Sequence, residues 1–355
     1  MNTIKLCSSM LLFIALIETY TVSAQLDSAE TCVSCICKKD ATPAGVMLSH
    51  VHSKGEWMFS YRYMNMATRG MEQNGTAISN DQIYNQYLMS SDKMQMQMHM
   101  LMVMYGVTTK LTLMSMLEYR SSTMNMITPE SSMHMHMMNG VMMGGAMGMQ
   151  DIKTLGFGDV SLAALYSIIN NTKHHVLISG GVSIPTGSIQ NKGGSNSMYP
   201  NTRYPYMMQQ GSGTWDVKLG VTYTFKVNKV MASTQLFSTI RTGYNQVGYK
   251  LGNELTFNNW VAYQWLSWLS TSLRGEVIQI GTIKGNDSSL YAYTEPSANA
   301  ANYGGTTAIL YAGVNAYFLT NNKVGIEVGL PVYQKINGMQ ASVNSNVTLI
   351  YSIVF

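Results

Sequence analysis

The chain is predicted to be all-β: a transmembrane antiparallel up-and-down β-barrel of about twelve strands, following a cleaved N-terminal signal peptide. Three observations predict it. Apolar residues recur on alternate positions through most of the chain, charged residues are few, and glycine and tyrosine are abundant. Charged residues make up 11% of the 355, against ~25% in soluble domains. Mean hydropathy is nonetheless close to neutral, which does not fit a helical membrane protein. A barrel wall that is apolar outside and polar inside needs this combination. The formal net charge of +4 is spread without clusters, so nucleic acid is not expected as a partner.

Residues 1–24 read as the signal peptide. Lys5 supplies the positive start, Met10 to Ile17 a short apolar core, and Val22-Ser23-Ala24 a small-residue cleavage site. That core is too short to span a bilayer, and no other stretch approaches ~20 apolar residues. Residues 25–55 form a Cys- and His-containing segment expected in the periplasm or the lumen, and 56–355 form the barrel. Strands are expected near 56–66, 94–105, 110–120, 158–169, 173–184, 214–226, 229–241, 252–264, 267–280, 306–319, 323–331 and 344–355. The sixth shows the pattern best, with Trp215, Val217, Leu219, Val221, Tyr223 and Phe225 facing lipid. Short turns are expected at Gly106–Thr109, Asn170–Thr172, Val227–Asn228, Tyr263–Leu266 and Thr320–Asn322. Long loops at 67–93, 121–157, 185–213, 242–251, 281–305 and 332–343 alternate with them. Short periplasmic turns and long outer loops are the expected arrangement when both termini lie in the periplasm. At the C-terminus Val347, Leu349, Tyr351, Ile353 and Phe355 share a face. A last strand closing on an aromatic looks like the sorting signal of bacterial outer-membrane barrels, which implies the outer membrane of a Gram-negative bacterium and its lipid as surroundings.

The second strand carries the unusual chemistry. Met94, Met96, Met98, Met100, Met102 and Met104 alternate with Gln95, Gln97, His99, Leu101, Val103 and Tyr105. A period of two puts all six thioethers on one face. Leu101, Val103 and Tyr105 suit lipid, so the methionines are expected to face inward, ~6.6 Å apart along the strand. Met114 and Met116 follow on the third strand, opposite Leu111, Leu113, Leu117 and Tyr119. Of the 31 methionines, 24 lie between Met47 and Met149, which confines any sulfur chemistry to the first third of the barrel. Loop 121–157 adds Met124, Met126, Met133, His134, Met135, His136, Met137, Met138, Met142, Met143, Met147 and Met149. Thioethers are poor ligands for hard ions but suit Cu(I) and Ag(I), and histidine adds tolerance for Cu(II). The competing reading is packing, because methionine fills irregular apolar space.

Several blocks resemble a known family: Gly45-Val46-Met47, Gly55-Glu56-Trp57-Met58-Phe59-Ser60-Tyr61-Arg62-Tyr63-Met64, Gly158-Asp159-Val160-Ser161-Leu162, Val182-Ser183-Ile184-Pro185-Thr186-Gly187-Ser188-Ile189, Gly211-Ser212-Gly213-Thr214-Trp215-Asp216 and Gly329-Leu330-Pro331-Val332-Tyr333-Gln334. They are similar to the outer-membrane "transporter" barrels grouped with a phenol meta-cleavage pathway, from about Pro43 to Phe355. The resemblance implies a barrel that passes small molecules and carries no catalytic residues. Members rich in methionine and histidine are, by the same resemblance, associated with copper.

Three cysteines, Cys32, Cys35 and Cys37, lie within six residues. They could close round one soft ion, or Cys32 and Cys35 could pair in the oxidising periplasm and leave Cys37 spare. Arg62, Glu118, Asp216, Lys218, Arg241, Arg274, Glu276 and Glu327 are expected to face the lumen, bracing a barrel of intermediate width and tuning passage. No nucleophile elbow or phosphate loop is present, so an enzyme is not expected and no cofactor is required. Two functions follow. In the first, Met94, Met96, Met98, His99, Met100, Met102, Met104, Met114, Met116, Met133, His134, Met135, His136, Met137, Met138, Cys32, Cys35 and Cys37 bind Cu(I) or Ag(I) and pass it along, with a periplasmic metal-handling protein as partner. In the second, the barrel is a passive channel for small hydrophobic or aromatic solutes, and the methionines are an adaptable lining.

Overall fold

The chain closes into a ring of antiparallel strands, in a computed structural model that describes residues 40–129, 149–194, 201–319 and 321–355 and the strand backbone at 136–138 and 141–143. Twelve strands go round it: β1 (Trp57–Gln73), β2 (Ser90–Gly106), β3 (Leu111–Ile127), β4 (Val160–Asn170), β5 (His174–Ile184), β6 (Asp216–Val227), β7 (Val230–Arg241), β8 (Glu254–Leu266), β9 (Leu269–Ile280), β10 (Gly305–Phe318), β11 (Asn322–Ile336) and β12 (Met339–Val354). Each pairs with its sequence neighbours. The seam closes β12 on β1, from Met58 opposite Val354 to Gln73 opposite Met339. A closed ring leaves no unpaired edge for the bilayer to meet, the condition for crossing hydrocarbon with strands. At the seam Phe355 N–H donates to the Trp57 carbonyl at 2.8 Å, and the Phe355 ring stands edge-on to Phe59.

Alternation along the strands sets the two surfaces. Leu219, Val221, Leu236, Leu273, Leu310, Val324, Ile326, Val328 and Leu330 are exposed, forming the apolar band. Trp57, Trp265, Trp268, Phe318 and Phe355 lie exposed at the short-turn end, and Phe157, Trp215 and Tyr333 at the other. Aromatic girdles of this kind sit at the two membrane–water boundaries.

Strands at the long-loop end run further than expected. β1 continues to Gln73, β3 to Ile127, β11 to Ile336, and β12 begins at Met339. A strand at Met149–Phe157 pairs with the upper part of β3, from Ile127 opposite Met149 to Tyr119 opposite Phe157. Met124 and Met126, expected in the loop, therefore lie on β3 and are buried. These extensions stand above the lipid band, where Ser121 and Thr123 replace the apolar outward residues that mark a strand while Ser122 is buried on the inner side. The turn expected at Tyr263–Leu266 falls instead after Leu266. The loop after β1 turns at Asn74-Gly75, both with positive φ, as a tight hairpin requires. It ends in a short helix, α1 (Asn80–Tyr84), capped by Ser79.

Between the Met149–Phe157 strand and β4 the wall breaks at Gly158-Asp159. Asp159 accepts from Gly187 N–H at 2.9 Å, Ser212 N–H at 2.8 Å and the Ser212 hydroxyl at 2.7 Å. One carboxylate thus ties the long segment after β5 to the wall. That segment reaches Asp287 through Arg203, at 2.5 and 3.1 Å, and packs Tyr206 edge-on against Tyr249 and Tyr303.

Candidate functional site

Inside the ring the inner faces of β1, β2 and β3 form a sheet of thioethers. Met94, Met96, Met98, Met100, Met102 and Met104 are all buried on the inward face. Met58 stands opposite Met104, which in turn stands opposite Met114. Met102 pairs with Met116, Met98 with Met64, Met96 with Met66, and Met94 with Met124. Directly opposed residues have Cβ atoms about 4.5–5.5 Å apart, so these side chains touch across strands as well as along them. Arg62, Met100 and Glu118 form one row in the middle, and Arg120 beside it binds Glu118 at 2.6 Å.

His99 corrects one expectation. It belongs to the outward series of β2, where its Nδ1 lies 2.7 Å from the Tyr61 hydroxyl, with Tyr63 and Tyr119 around it. Alternation puts it on the wrong face to join the methionines as a ligand. Met133, His134, Met135, His136, Met137 and Met138, like Cys32, Cys35, Cys37 and the signal segment 1–24, lie outside the described residues, save for the backbone pairing of 136–138 with 141–143. Among the described residues no group of three or more His, Cys, Asp or Glu side chains is placed to hold a metal ion.

The lumen is occupied by the chain's own segment 40–56. It starts at the short-turn end, where the Asp40 carbonyl accepts from the Tyr317 hydroxyl at 2.8 Å and from Lys323 Nζ at 3.0 Å. The Thr42 carbonyl takes Lys323 Nζ at 2.7 Å and Asn315 Nδ2 at 3.2 Å. The segment then rises, turns where Val46 N–H meets the Pro43 carbonyl, and returns. Its tip is held by β1, β7 and β6: Arg62 Nη2 donates to the Val46 carbonyl at 3.0 Å, Gln235 to Met47 at 2.8 Å and Thr222 to Leu48 at 3.4 Å. On the way down His52 N–H donates to Thr112 at 2.8 Å, and the chain crosses Gly106 to enter β1. Apolar residues of this plug pack on both sides of the lumen. Leu48 and Val51 join the methionine sheet, while Ala41 and Val46 join Met231, Trp260 and Ala262.

Gly45 sits on the most highly charged spot of the wall. Glu327 is fully buried and accepts from Gly45 N–H at 2.7 Å. It also receives Arg274 in a fork, Nε at 2.9 Å and Nη2 at 3.0 Å. Arg274 donates in addition to Asn258 and Glu276 and lies 3.7 Å from the centre of the Tyr311 ring. A Cβ on Gly45 would lie 2.4 Å from both Arg274 Nη2 and Glu327 Oε2. Any larger residue there would have to push the two side-chain ends out of their fork.

All eight charged side chains expected in the lumen face inward, and their partners differ. Glu118 holds Arg120, Asp216 holds Arg241, and Glu276 and Glu327 share Arg274. Lys218 bonds the Ser161 hydroxyl at 2.7 Å, and Arg62 bonds the plug. Composition and spacing did not single out Gly45, Lys323 or Arg120. Gly45 lay within a family-like block, and that was the available signal.

The plug's own titratable groups gather at the short-turn end. Burial pushes the His52 imidazole below its ordinary range, partly opposed by Glu56, 3.4 Å away. Burial alone would raise Asp40, but His50 at 3.2 Å, with Lys226 and Lys323, outweighs it and holds the carboxyl well below the usual range.

No family model matches the chain, and no curated protein matches its sequence. Among solved structures it is similar to an outer-membrane channel from Pseudomonas putida F1, at 15% identity over 85% of this chain and 96% of that one, with a TM-score of 0.56. The transport unit of the autotransporter AIDA-I from Escherichia coli aligns at 11% identity over 88% of this chain and 94% of that one, TM-score 0.45. The CymD monoaromatic hydrocarbon channel aligns at 8% identity over 86% and 89%, TM-score 0.40. Taken with the closed ring and the apolar band, the first of these gives the architecture: the chain is a twelve-stranded β-barrel of the Gram-negative outer membrane, built like an outer-membrane channel.

Proposed function

We propose that the protein is a passive outer-membrane channel for small apolar or aromatic solutes, closed in this state by segment 40–56. The observation that supports it is the inner face of β1, β2 and β3, where methionine takes the place of the polar lining of a water-filled porin. Flexible, polarizable thioethers accommodate apolar solutes of differing shape and contact aromatic rings favourably. The test is uptake of an uncharged apolar dye by intact Gram-negative cells, whose outer leaflet slows such molecules. Cells carrying the barrel should fill several-fold faster than cells without it. Equal rates, with the barrel present and folded in the outer membrane, refute the reading.

A second reading is favoured by one observation, the unbroken row Met58, Met104 and Met114 across three adjacent strands. Three neighbouring thioethers suit Cu(I) or Ag(I), and the residues that would hold the ion are these with Met102 and Met116 beside them. Silver titration of the purified barrel, followed by sulfur-edge absorption, tests it. An unchanged sulfur spectrum at saturating silver refutes it.

A further inference from the structure

The plug's carbonyl oxygens meet cations that the wall leaves without a carboxylate. Glu118, Asp216, Glu276 and Glu327 each already hold an arginine. Among the described residues neither Arg62 nor Lys323 has a side-chain carboxylate within ion-pair distance, and the Asp40 carboxylate acts on Lys323 only from farther off. Arg62 is buried at 5% exposure, and its guanidinium bonds the Val46 carbonyl. Lys323 bonds the carbonyls of Asp40 and Thr42. A guanidinium stripped of water in an apolar setting needs an oxygen ligand, and a neutral carbonyl is a weaker one than a carboxylate. Around Arg62 the surface is apolar on one side: Met100 stands opposite it on β2, and Met64 lies two residues on along β1.

We propose that the lumen is built to take small carboxylates with an apolar body, that Arg62 is the seat of the carboxylate and Lys323 its next stop toward the short-turn end, and that the plug carbonyls stand in for that ligand. The solute's body lies on Met64 and Met100 while its carboxylate replaces the Val46 carbonyl on Arg62. Solute and plug tip therefore compete for one guanidinium, and binding of the solute favours withdrawal of the plug. This rests on the channel reading and narrows its solute class.

Calorimetric titration of the full-length barrel in detergent with sodium benzoate, and separately with benzyl alcohol, tests it in wild type and in Gly45→Val. Benzoate should bind Gly45→Val at least tenfold more tightly than benzyl alcohol does, and more tightly than it binds wild type, because the competitor is displaced. Arg62→Met should remove the preference for the carboxylate, and Arg62→Lys should keep part of it. Heat-modifiable electrophoretic mobility reports that each variant is a closed barrel. Equal affinities for the two probes in Gly45→Val, no binding of benzoate to either form, or a preference that survives Arg62→Met overturns the inference. Dye uptake stays the separate measure of the channel: normal uptake with no carboxylate preference sinks this inference alone, and benzoate binding without uptake sinks the channel alone.

Discussion

Replacing Gly45 by valine should open the barrel. The added Cβ would lie 2.4 Å from atoms of both Arg274 and Glu327. Both atoms are side-chain ends, but moving them means opening a fork buried at 3% exposure or less, which costs more than moving the tip. The plug tip must lift instead. It then loses the bond from Gly45 N–H to Glu327 and the bond from Arg62 to the Val46 carbonyl. A hydrogen bond to a charged group is worth about 1.5–3 kcal/mol, so the pair is worth roughly 3–6 kcal/mol. At ~1.4 kcal/mol per tenfold, the seated fraction should fall by roughly a hundred- to ten-thousand-fold relative to the withdrawn one. Planar-bilayer conductance reads this directly: Gly45→Val should hold long open states that wild type visits rarely. A folded Gly45→Val barrel with wild-type conductance would show that the Gly45–Glu327 seat does not close the lumen.

Changing Met96, Met98, Met100, Met102 and Met104 together to leucine conserves volume at under about 1.5 kcal/mol per site, so the barrel should assemble and dye uptake should persist. Silver binding should weaken at least tenfold in that variant, because the row Met58–Met104–Met114 loses its middle thioether, while His99→Gln, on the lipid side, should leave silver binding unchanged. Lowering the pH should loosen the plug. The folded-state pKa of His52 lies below its ordinary 6.5, so its contribution is complete above that pH and is lost as pH falls through 6.5 toward the lowered value. Glu56, His50 and Asp40 face it. Conductance should rise between pH about 7.5 and about 5, and His52→Leu should flatten that step. Asp287→Ala should cost about 1–3 kcal/mol locally by removing the carboxylate that takes Arg203 and the Ser289 N–H and hydroxyl, and limited proteolysis should then cut faster within 185–213 and 281–304.

The barrel was legible because lipid enforces a period of two. Leu219, Val221 and Tyr223 on β6, or Val324, Ile326 and Val328 on β11, can only point outward. Where lipid ends, so does the signal. Ser121, Thr123 and Asn125 on β3, with Asp151 and Lys153 opposite them, continue the wall as strands, yet these outward side chains are polar and lack the apolar period that lipid imposes. Trp265 is an outward residue of β8 at the membrane boundary, and the turn was placed too early because apolar and aromatic residues crowd both sides of it. The inward direction of the methionine column followed from the same alternation, which also puts His99 outside. The plug had no such signature. Segment 40–56 is held by scattered bonds from seven different strands, a tertiary arrangement with no period to read. Its key residue is a glycine chosen for what it lacks.

The crossing of the plug over Gly106 decides which end of the stopper can travel. A Cβ on Gly106 would lie 1.9 Å from the Ser53 carbonyl, so the chain leaves the lumen through a gap with no slack and passes at once into β1. β1 is also half of the seam with β12. The foot of the stopper is therefore anchored in the wall, and any excursion belongs to the tip. The stopper works as a leashed cork: it can swing aside and find its seat again, and it cannot be lost.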